Sequence, residues 1–477
     1  MSSITSFISN TVRVNHIIMT NKDGIKIDIT RLVIGIDLFE DIYAPTLNGT
    51  IDIIDANDML QFFPIIGEEK IRIDIILPGF SDDANFVLDN YRIHKITDRV
   101  VNSDKIQTYK LWFTSPEFIT DFEKRISKAW YEKTTESMVK DAFGFLGSKK
   151  TLEIDPSTIG VHNFISTNFS PLQIIDYLAS HRSINTNKLS DYMFFESFDS
   201  GTTKFNFKSL GYLSSTSNPI AEFTYRPVNV NNDSVGPSTN IQPYNIENIT
   251  FKKGFDIIKA KSSGYYNQTF MYYDLLRKKY VVQKNTYDDV FNETKGMKIE
   301  NAGGDTNRMF SENTKTYGDN INFVYVSGFP SRISSTLDFS STHNKSTEPK
   351  AKRGTNTYIA KKGLSSDKVS TLVEDTLYRR KILLHEFEMN KINLNDISGN
   401  YEYTVGSVIE FNKPHIVVNK TEKISESGDS INDIFISGRY LITKSRHHIV
   451  RSSGLNWKYK NYLEVSKNTI KTSLDRV

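Results

Sequence analysis

The residues of this sequence best suited to acid–base or metal chemistry are its histidines. The one adjacent pair, His447-His448, lies in an alternating stretch typical of a strand, where neighbouring side chains point to opposite faces. Two such imidazoles cannot share a metal ion, so we expect one to be buried and the other solvated. A second candidate, His385-Glu386, lacks the second histidine of the zinc-protease helix motif, because Met389 occupies that position.

Carboxylates are the next candidates, because a pair of them could hydrolyse a glycosidic bond. The clusters are Asp37, Glu40 and Asp41, and Glu68 with Glu69. Acids near strand ends are mostly solvated, and we expect that role here. No nucleophile elbow, phosphate-binding glycine loop or dinucleotide fingerprint is present, and there is no cysteine. We therefore predict no catalytic, cofactor-binding or metal-binding residues and no enzymatic activity.

Two further features could make contacts. An apolar stripe is expected to be core or subunit contact: Leu60, Phe62, Phe63, Ile65 and Ile66. The segment 340–357 places four basic residues among small polar ones. A solvated loop is the simpler interpretation, with a phosphate or partner contact as the alternative.

Composition narrows the class of protein. A chain of 477 residues is too long for one core and predicts three or four domains. Its 59 basic and 56 acidic residues give no net field that would indicate nucleic-acid or membrane-surface binding. The absence of cysteine fits assembly in a reducing cytoplasm. The segment Met1–Asn10 has no secretory-signal pattern, and no apolar run approaches the ~20 residues that span a bilayer, so we predict no membrane insertion.

The elements indicate a mainly β protein with α+β insertions. Alternating runs over Lys26–Thr30, Val33–Asp37 and Thr50–Ile54, with turn residues over Tyr43–Gly49, predict a small β-barrel or sandwich over residues 1–115. Residues 116–212 form a predicted α+β insert with two helices, one capped by Thr134 or Thr135 and ended by Gly147, the other capped by Ser170 with Pro171 in its first turn. The insert also contains a predicted hairpin around Ser200-Gly201.

The C-terminal half is predicted to be a second, discontinuous β-domain built from residues 213–261 and 365–470. An exposed loop is expected over 229–243, a strand over 246–261, and a long helix from a cap at Ser365 or Ser366 to about His385. Residues 262–364 form an inserted peripheral domain with strands at 280–283 and 322–326.

One β-unit occurs twice, over 67–116 and 406–468. Each copy has an opening glycine, an alternating strand that ends at a proline, and a second strand that begins with tyrosine (Tyr91 or Tyr440). The sequence alignment pairs the last strands as 109–113 and 459–463. A duplicated unit in one chain predicts quasi-symmetric contacts rather than one catalytic cleft.

Several segments carry a resemblance to a known family. In chain order they are Leu38–Asp55, Leu60–Glu69, the strand that starts at Ile71, Thr135–Leu146, Ser166–Ala179, Ile246–Lys259, the long helix, Tyr403–Phe411, Gly438–Lys444 and Tyr462–Asn468. At these residues the chain resembles the central baseplate hub proteins of contractile-tailed bacteriophages. Residues 262–366 have no counterpart.

The resemblance implies two tail-tube-like barrels per chain and a homotrimeric ring of six similar barrels. Such a ring adapts a threefold central spike to a sixfold tail tube, contacts tube or tube-initiator proteins and surrounding baseplate proteins, and lets DNA pass without sequence-specific binding. It implies a virion protein, assembled in the host cytoplasm, without cofactors. Ring closure is also expected to cover strand edges that an isolated barrel leaves open.

Two other classes remain open. A tail-associated cell-wall hydrolase would use carboxylates that the sequence does not pair. A β-rich adhesion or carbohydrate-binding module would use exposed aromatic platforms, although Trp112, Trp130 and Trp457 are scattered and are expected in core or interface.

Overall fold

The computed structural model describes residues 11–76, 85–103, 106–199, 201–216, 218–225, 244–251, 256–262, 264–274, 279–287, 289–290, 307–308, 323–327, 372–414, 432–433, 435–453 and 456–470. Within this part of the chain, 14 strands belong to one sheet, and helices are concentrated in one insert. The prediction of a mainly β fold with α+β insertions is confirmed.

Eight strands close into a first barrel. Six come from the N-terminal region: β1 (Thr11–Thr20), β3 (Val33–Asp41), β4 (Asn48–Asp55), β5 (Lys70–Ile76), β6 (Asn85–Ser103) and β7 (Ile106–Thr114). The other two come from the far end of the chain: β22 (Gly438–Ser453) and β23 (Asn456–Ser466). The pairing order is β3, β4, β7, β6, β5, β1, β23, β22 and back to β3. A short strand β2 (Lys26–Asp28) adds to β1, and helix α1 (Met59–Phe62) precedes β5.

A second barrel shares β22 and β23. Its own strands are β13 (Pro219–Tyr225), β14 (Asn245–Ile246), β15 (Asn248–Phe251), β20 (Lys391–Ser398) and β21 (Val408–Asn412). Around this barrel, β22 pairs with β21, β21 with β13, and β13 with β14. β15 follows β14 after one residue of the chain. It pairs with β20, β20 pairs with β23, and β23 pairs with β22, which closes the barrel. The two barrels therefore have separate cores joined through one hairpin.

The strand pairing contains the same β-unit twice. In the first copy, Ile93 pairs with Phe113 and Lys95 with Trp112. In the second, Ile442 pairs with Val465 and Lys444 with Glu464. The register shifts at the same place in both copies, between Ile93 and Lys95 and between Ile442 and Lys444.

The pairing corrects the sequence alignment of the last strand by two residues. Phe113 corresponds to Val465, not to Leu463. A shift of two leaves every side chain on its original face, because strand side chains alternate with period two.

The insert packs helices against two small sheets. Its elements are α2 (Pro116–Glu123), β8 (Ile126–Lys133), α3 (Thr135–Leu146), β9 (Leu152–Asp155), β10 (His162–Phe169), α4 (Pro171–His181), β11 (Tyr192–Asp199), β12 (Thr202–Ser209) and α5 (Leu210–Thr216). The predicted signals are confirmed: Thr134 caps α3, Gly147 ends it in the left-handed conformation, and Ser170 forms a capping box. The predicted hairpin is β11–β12.

The remaining described elements lie between β15 and β20 or at the C-terminal end. They are α6 (Ile257–Ser262), β16 (Asn267–Asp274), β17 (Lys279–Thr286), β18 (Asn307–Arg308), β19 (Phe323–Ser327), α7 (Leu372–Met389) and β24 (Thr469–Ile470). β17 contains the strand predicted over 280–283, and β19 covers 323–326 of the strand predicted over 322–326, whose first residue lies outside the described residues. None of the described helices is long and apolar enough to cross a membrane.

Two predictions of this region are corrected. The strand expected over 246–261 ends at Phe251, and Ile257–Ser262 is helical. Asp256 is a favourable N-cap residue, and its backbone carbonyl accepts a hydrogen bond from the amide of the buried Ala260. This helix-start signal prevails over the strand preference of the β-branched Ile257 and Ile258. The long helix continues past His385 to Met389, because Phe387 is fully buried in the second core. The predicted loop over 229–243, basic run over 340–357 and cap at 365–366 lie outside the described residues.

Candidate functional site

The first cluster of charged side chains lies where β22 meets β3, at the junction of the barrels. Arg446 makes a two-pronged bond to Asp37, with Nε and one Nη 2.9 and 3.0 Å from the two carboxylate oxygens. His448 Nδ1 lies 2.6 Å from the same carboxylate, and Lys444 donates to Asp41 at 2.7 Å. These bonds join residues up to 411 positions apart, so they fasten the C-terminal hairpin to the N-terminal barrel.

Electrostatics at Asp37 follow from this geometry. Burial alone raises the pKa of Asp37, but hydrogen bonds from His448 and Arg446, together with their charges, outweigh it and hold the pKa below its ordinary value. Asp37 is therefore a stable anion. It stabilises the barrel junction and is already bound on both oxygens.

The inner side of the same strand carries a second cluster around His447. Its Nε2 lies 2.6 Å from Glu40, and its Nδ1 lies 2.6 Å from the Tyr459 hydroxyl. Thr404 also donates to Glu40, which brings the segment before β21 into the cluster. Burial raises the pKa of Tyr459 well above its ordinary value, so the phenol stays protonated as a hydrogen-bond donor.

These positions test the expectations for histidines and acids. The side chain of His447 is 1% exposed and that of His448 is 29% exposed, so the two histidines point apart as predicted. The expectation of solvated turn acids is wrong for Asp37 and Glu40, which are buried within β3. The reason is tertiary: β22 supplies cationic and histidine partners that no local pattern shows. Glu69 is also buried, accepting from the backbone of Ile66 and Gly67.

A third cluster joins the insert to the first barrel. The Glu196 carboxylate of β11 is fully buried and accepts from the Leu47 amide at 2.9 Å, from Lys150 at 2.7 Å and from the Tyr91 hydroxyl at 2.9 Å. Ser115 donates to it as well. Burial alone raises the pKa of Glu196, but the charge of Lys150 and these donors hold the pKa below its ordinary value.

Sequence reasoning missed this cluster. The available signal was a charged residue, Glu196, within the aromatic strand of β11, since an acid among buried aromatics needs a partner. Its partner Lys150 also contacts Glu117, 3.0 Å away. A cavity of about 530 Å³ opens beside Lys150, at the seam between the insert and the barrel.

The apolar stripe divides between core and surface. Phe63 is buried, whereas Phe62 and Ile66 are 81% and 66% exposed. Trp130 and Trp457 are buried, as expected for core residues. Trp112 donates to Thr97 at 2.8 Å and lies under Lys95. The described residues contain no group of three or more acidic or histidine side chains arranged to hold a metal ion.

The fold and these clusters define a class: a double-barrel β protein whose buried charges hold its parts together. No protein-family model matches the sequence, and no curated protein matches it. Solved structures are similar in fold. The tail protein from Neisseria meningitidis MC58 is 10% identical, with a TM-score of 0.49 over 95% of this chain and 96% of that chain.

The 43 kDa tail protein of prophage MuSo2 from Shewanella oneidensis is 6% identical, with a TM-score of 0.48 over 95% of this chain and 98% of that one. A chain of the half-lidded Francisella PdpA–VgrG complex is 11% identical, with a TM-score of 0.44 over 96% of this chain and 58% of that one. At such identities and TM-scores, similarity assigns no function, and the function proposed below depends on the chain's own architecture.

Proposed function

We propose that this chain is the structural hub of a contractile phage tail baseplate. The observation that carries the proposal is the double barrel: one chain contains two versions of the same β-unit, with the same register shift, and joins them through β22 and β23. A chain with two similar barrels can take two similar places in a ring.

The symmetry follows from this duplication. Three chains in a ring present six similar barrels while keeping true threefold symmetry. Such a ring adapts a sixfold tail tube, or its initiator, to a threefold central spike. The insert of residues 116–212 and the region between β15 and β20 are then available to surrounding baseplate proteins.

The chain is a virion component of the tail, assembled in the host cytoplasm, and DNA passes through the channel of the ring without sequence-specific contacts. A formal net charge of only +3 supports this role, because a tight sequence-independent DNA binder would need a strong basic surface.

We also propose that the role is structural rather than enzymatic. Asp37, Glu40 and Glu196, all buried, have their carboxylates bound by partners within the chain. A glycosidase needs one carboxyl group free to protonate the leaving group and a second to act on the sugar or on water.

The test is the mass and symmetry of the purified chain, alone and with its neighbouring tail proteins. Light scattering and electron microscopy are expected to give a threefold ring with six similar barrels around an open channel. A monomer that joins no ring with any tail protein would contradict the proposal. Turnover of cell-wall polymer would then favour a hydrolase, and carbohydrate binding without turnover would favour an adhesion module.

A further inference from the structure

Among the described residues, the outer half of β6 has an open edge. Up to Arg92, β6 pairs with β5; beyond Ile93, the described residues give it only β7 as a strand partner. The outer end of the hairpin formed by β6 and β7 is apolar and exposed: Val100 is 51% exposed, Val101 69% and Ile106 41%. An open, apolar strand edge is a site for pairing with another strand.

The second copy of the β-unit shows what covers the corresponding edge. Beyond its own register shift, β22 turns away from β21 and pairs antiparallel with β3 of the first barrel, from Lys444 opposite Asp41 to Val450 opposite Gly35. Within one chain, the hairpin of the second barrel is therefore seated on the first barrel.

The second barrel contains a strand equivalent to β3. β3 pairs with β4, which pairs with β7; in the same way β15 pairs with β20, which pairs with β23. Through these two sets of pairings, Leu38 of the first barrel occupies the position equivalent to Phe251 of the second barrel. In the same way, Ile36 is equivalent to Ile249. In the described residues the other edge of β15 has no strand partner, and Phe251 is 51% exposed.

We propose that the outer edge of β6 in one copy of this chain pairs antiparallel with β15 of a second copy, repeating between chains the contact that β22 makes with β3 within each chain. This inference rests on the proposed ring and names its interface. The contact is head-to-tail, and such contacts close into rings when the rotation allows.

β6 has one residue more than β22 between Thr97 and Val100, so the register of the proposed contact is taken from the two ladders beyond Val100. Val101 pairs with Gln107 in the first copy, and Ile449 pairs with Tyr459 in the second, so Val101 takes the place of Ile449. Because Ile449 faces Ile36, Val101 of one chain faces Ile249 of the next. Two apolar, β-branched residues then pair across the chains.

A disulfide tests this pairing cleanly, since the chain contains no cysteine. A Val101→Cys chain is mixed with an Ile249→Cys chain and the neighbouring tail proteins, then oxidised. A covalent pair of chains is expected on a non-reducing gel. Ile165→Cys replaces Val101→Cys as the control, because Ile165 is equally exposed, at 67%, but lies on β10, and it is expected to give no pair.

A second variant, Val101→Lys, places a charge on the same edge and is expected to lower the fraction of chains in rings, while Ile165→Lys does not. Rings that form without the cross-link and despite Val101→Lys would overturn the inference and leave the hub function standing. A cross-link without threefold rings would support the contact and overturn the hub function. Neither cross-link nor rings would overturn both.

Discussion

At the scale of single residues, buried charge in this protein holds strands and domains together. Asp37 and Glu40 look like candidate catalytic acids in the sequence, yet each is bound by a side chain of β22. Breaking a buried ion pair on one side is costly, because the remaining group stays desolvated without its partner. Glu196, between the insert and the first barrel, offers the clearest test.

We expect Glu196→Gln to reduce the free energy of unfolding by about 3 kcal/mol near neutral pH, because Lys150, Tyr91 and Ser115 lose a carboxylate acceptor. The folded pKa of Glu196 is lowered, so its contribution is present above the ordinary pKa of 4.5 and lost as pH falls through the folded pKa. The difference between wild type and variant should therefore shrink in acid.

Urea unfolding at several pH values measures this difference. Glu136→Gln is the control, since Glu136, whose side chain is 28% exposed, forms an i,i+4 pair with Lys140 and the loss of that pair should cost about 0.3–0.5 kcal/mol. Equal losses for the two variants would show that the buried cluster adds no stability.

At the scale of elements, close contact between β3, β4 and β7 requires a glycine. A Cβ atom at Gly49 would meet the Phe113 ring and would lie 2.8 Å from the Asp37 carbonyl oxygen. Gly144 differs, because it lies in helix α3 and, apart from its chain neighbours and the backbone of its own helix, no described atom lies within 4 Å of its added Cβ.

Gly49→Ala is expected to destabilise the protein by at least ~2 kcal/mol through overpacking, whereas Gly144→Ala is expected to stabilise it by up to ~1 kcal/mol through helix propensity. Thermal unfolding followed by circular dichroism measures both. A tolerated Gly49→Ala would mean that β4 and β7 are not packed as closely as described.

At the scale of the whole molecule, the shared β22 and β23 should make the two barrels unfold together. Ile409→Ala removes a fully buried side chain from the second core and is expected to cost about 2–5 kcal/mol. Amide hydrogen exchange in β3 and β4 should accelerate as well, although these strands lie in the first barrel. Unchanged exchange there would show that the barrels unfold as independent units.

The sequence by itself determined the features that depend on local physical chemistry. Alternating runs identified β3, β4 and β5, and the capping residues Thr134 and Ser170 began the two helices of the insert. The opposite orientation of His447 and His448 also followed from alternation alone. The duplication was visible because both copies keep their glycine, proline and tyrosine positions.

Only the tertiary structure decided how these elements close into barrels. β3 pairs on one side with β22, and β1 pairs with β23; these partners lie more than 400 residues away, and no local pattern encodes a pairing at that distance. The two-residue correction in β23 was hidden because it leaves the alternation unchanged. The partners of Asp37, Glu40 and Glu196 likewise come from distant segments, since burying a charge requires a partner but does not specify where in the sequence that partner lies.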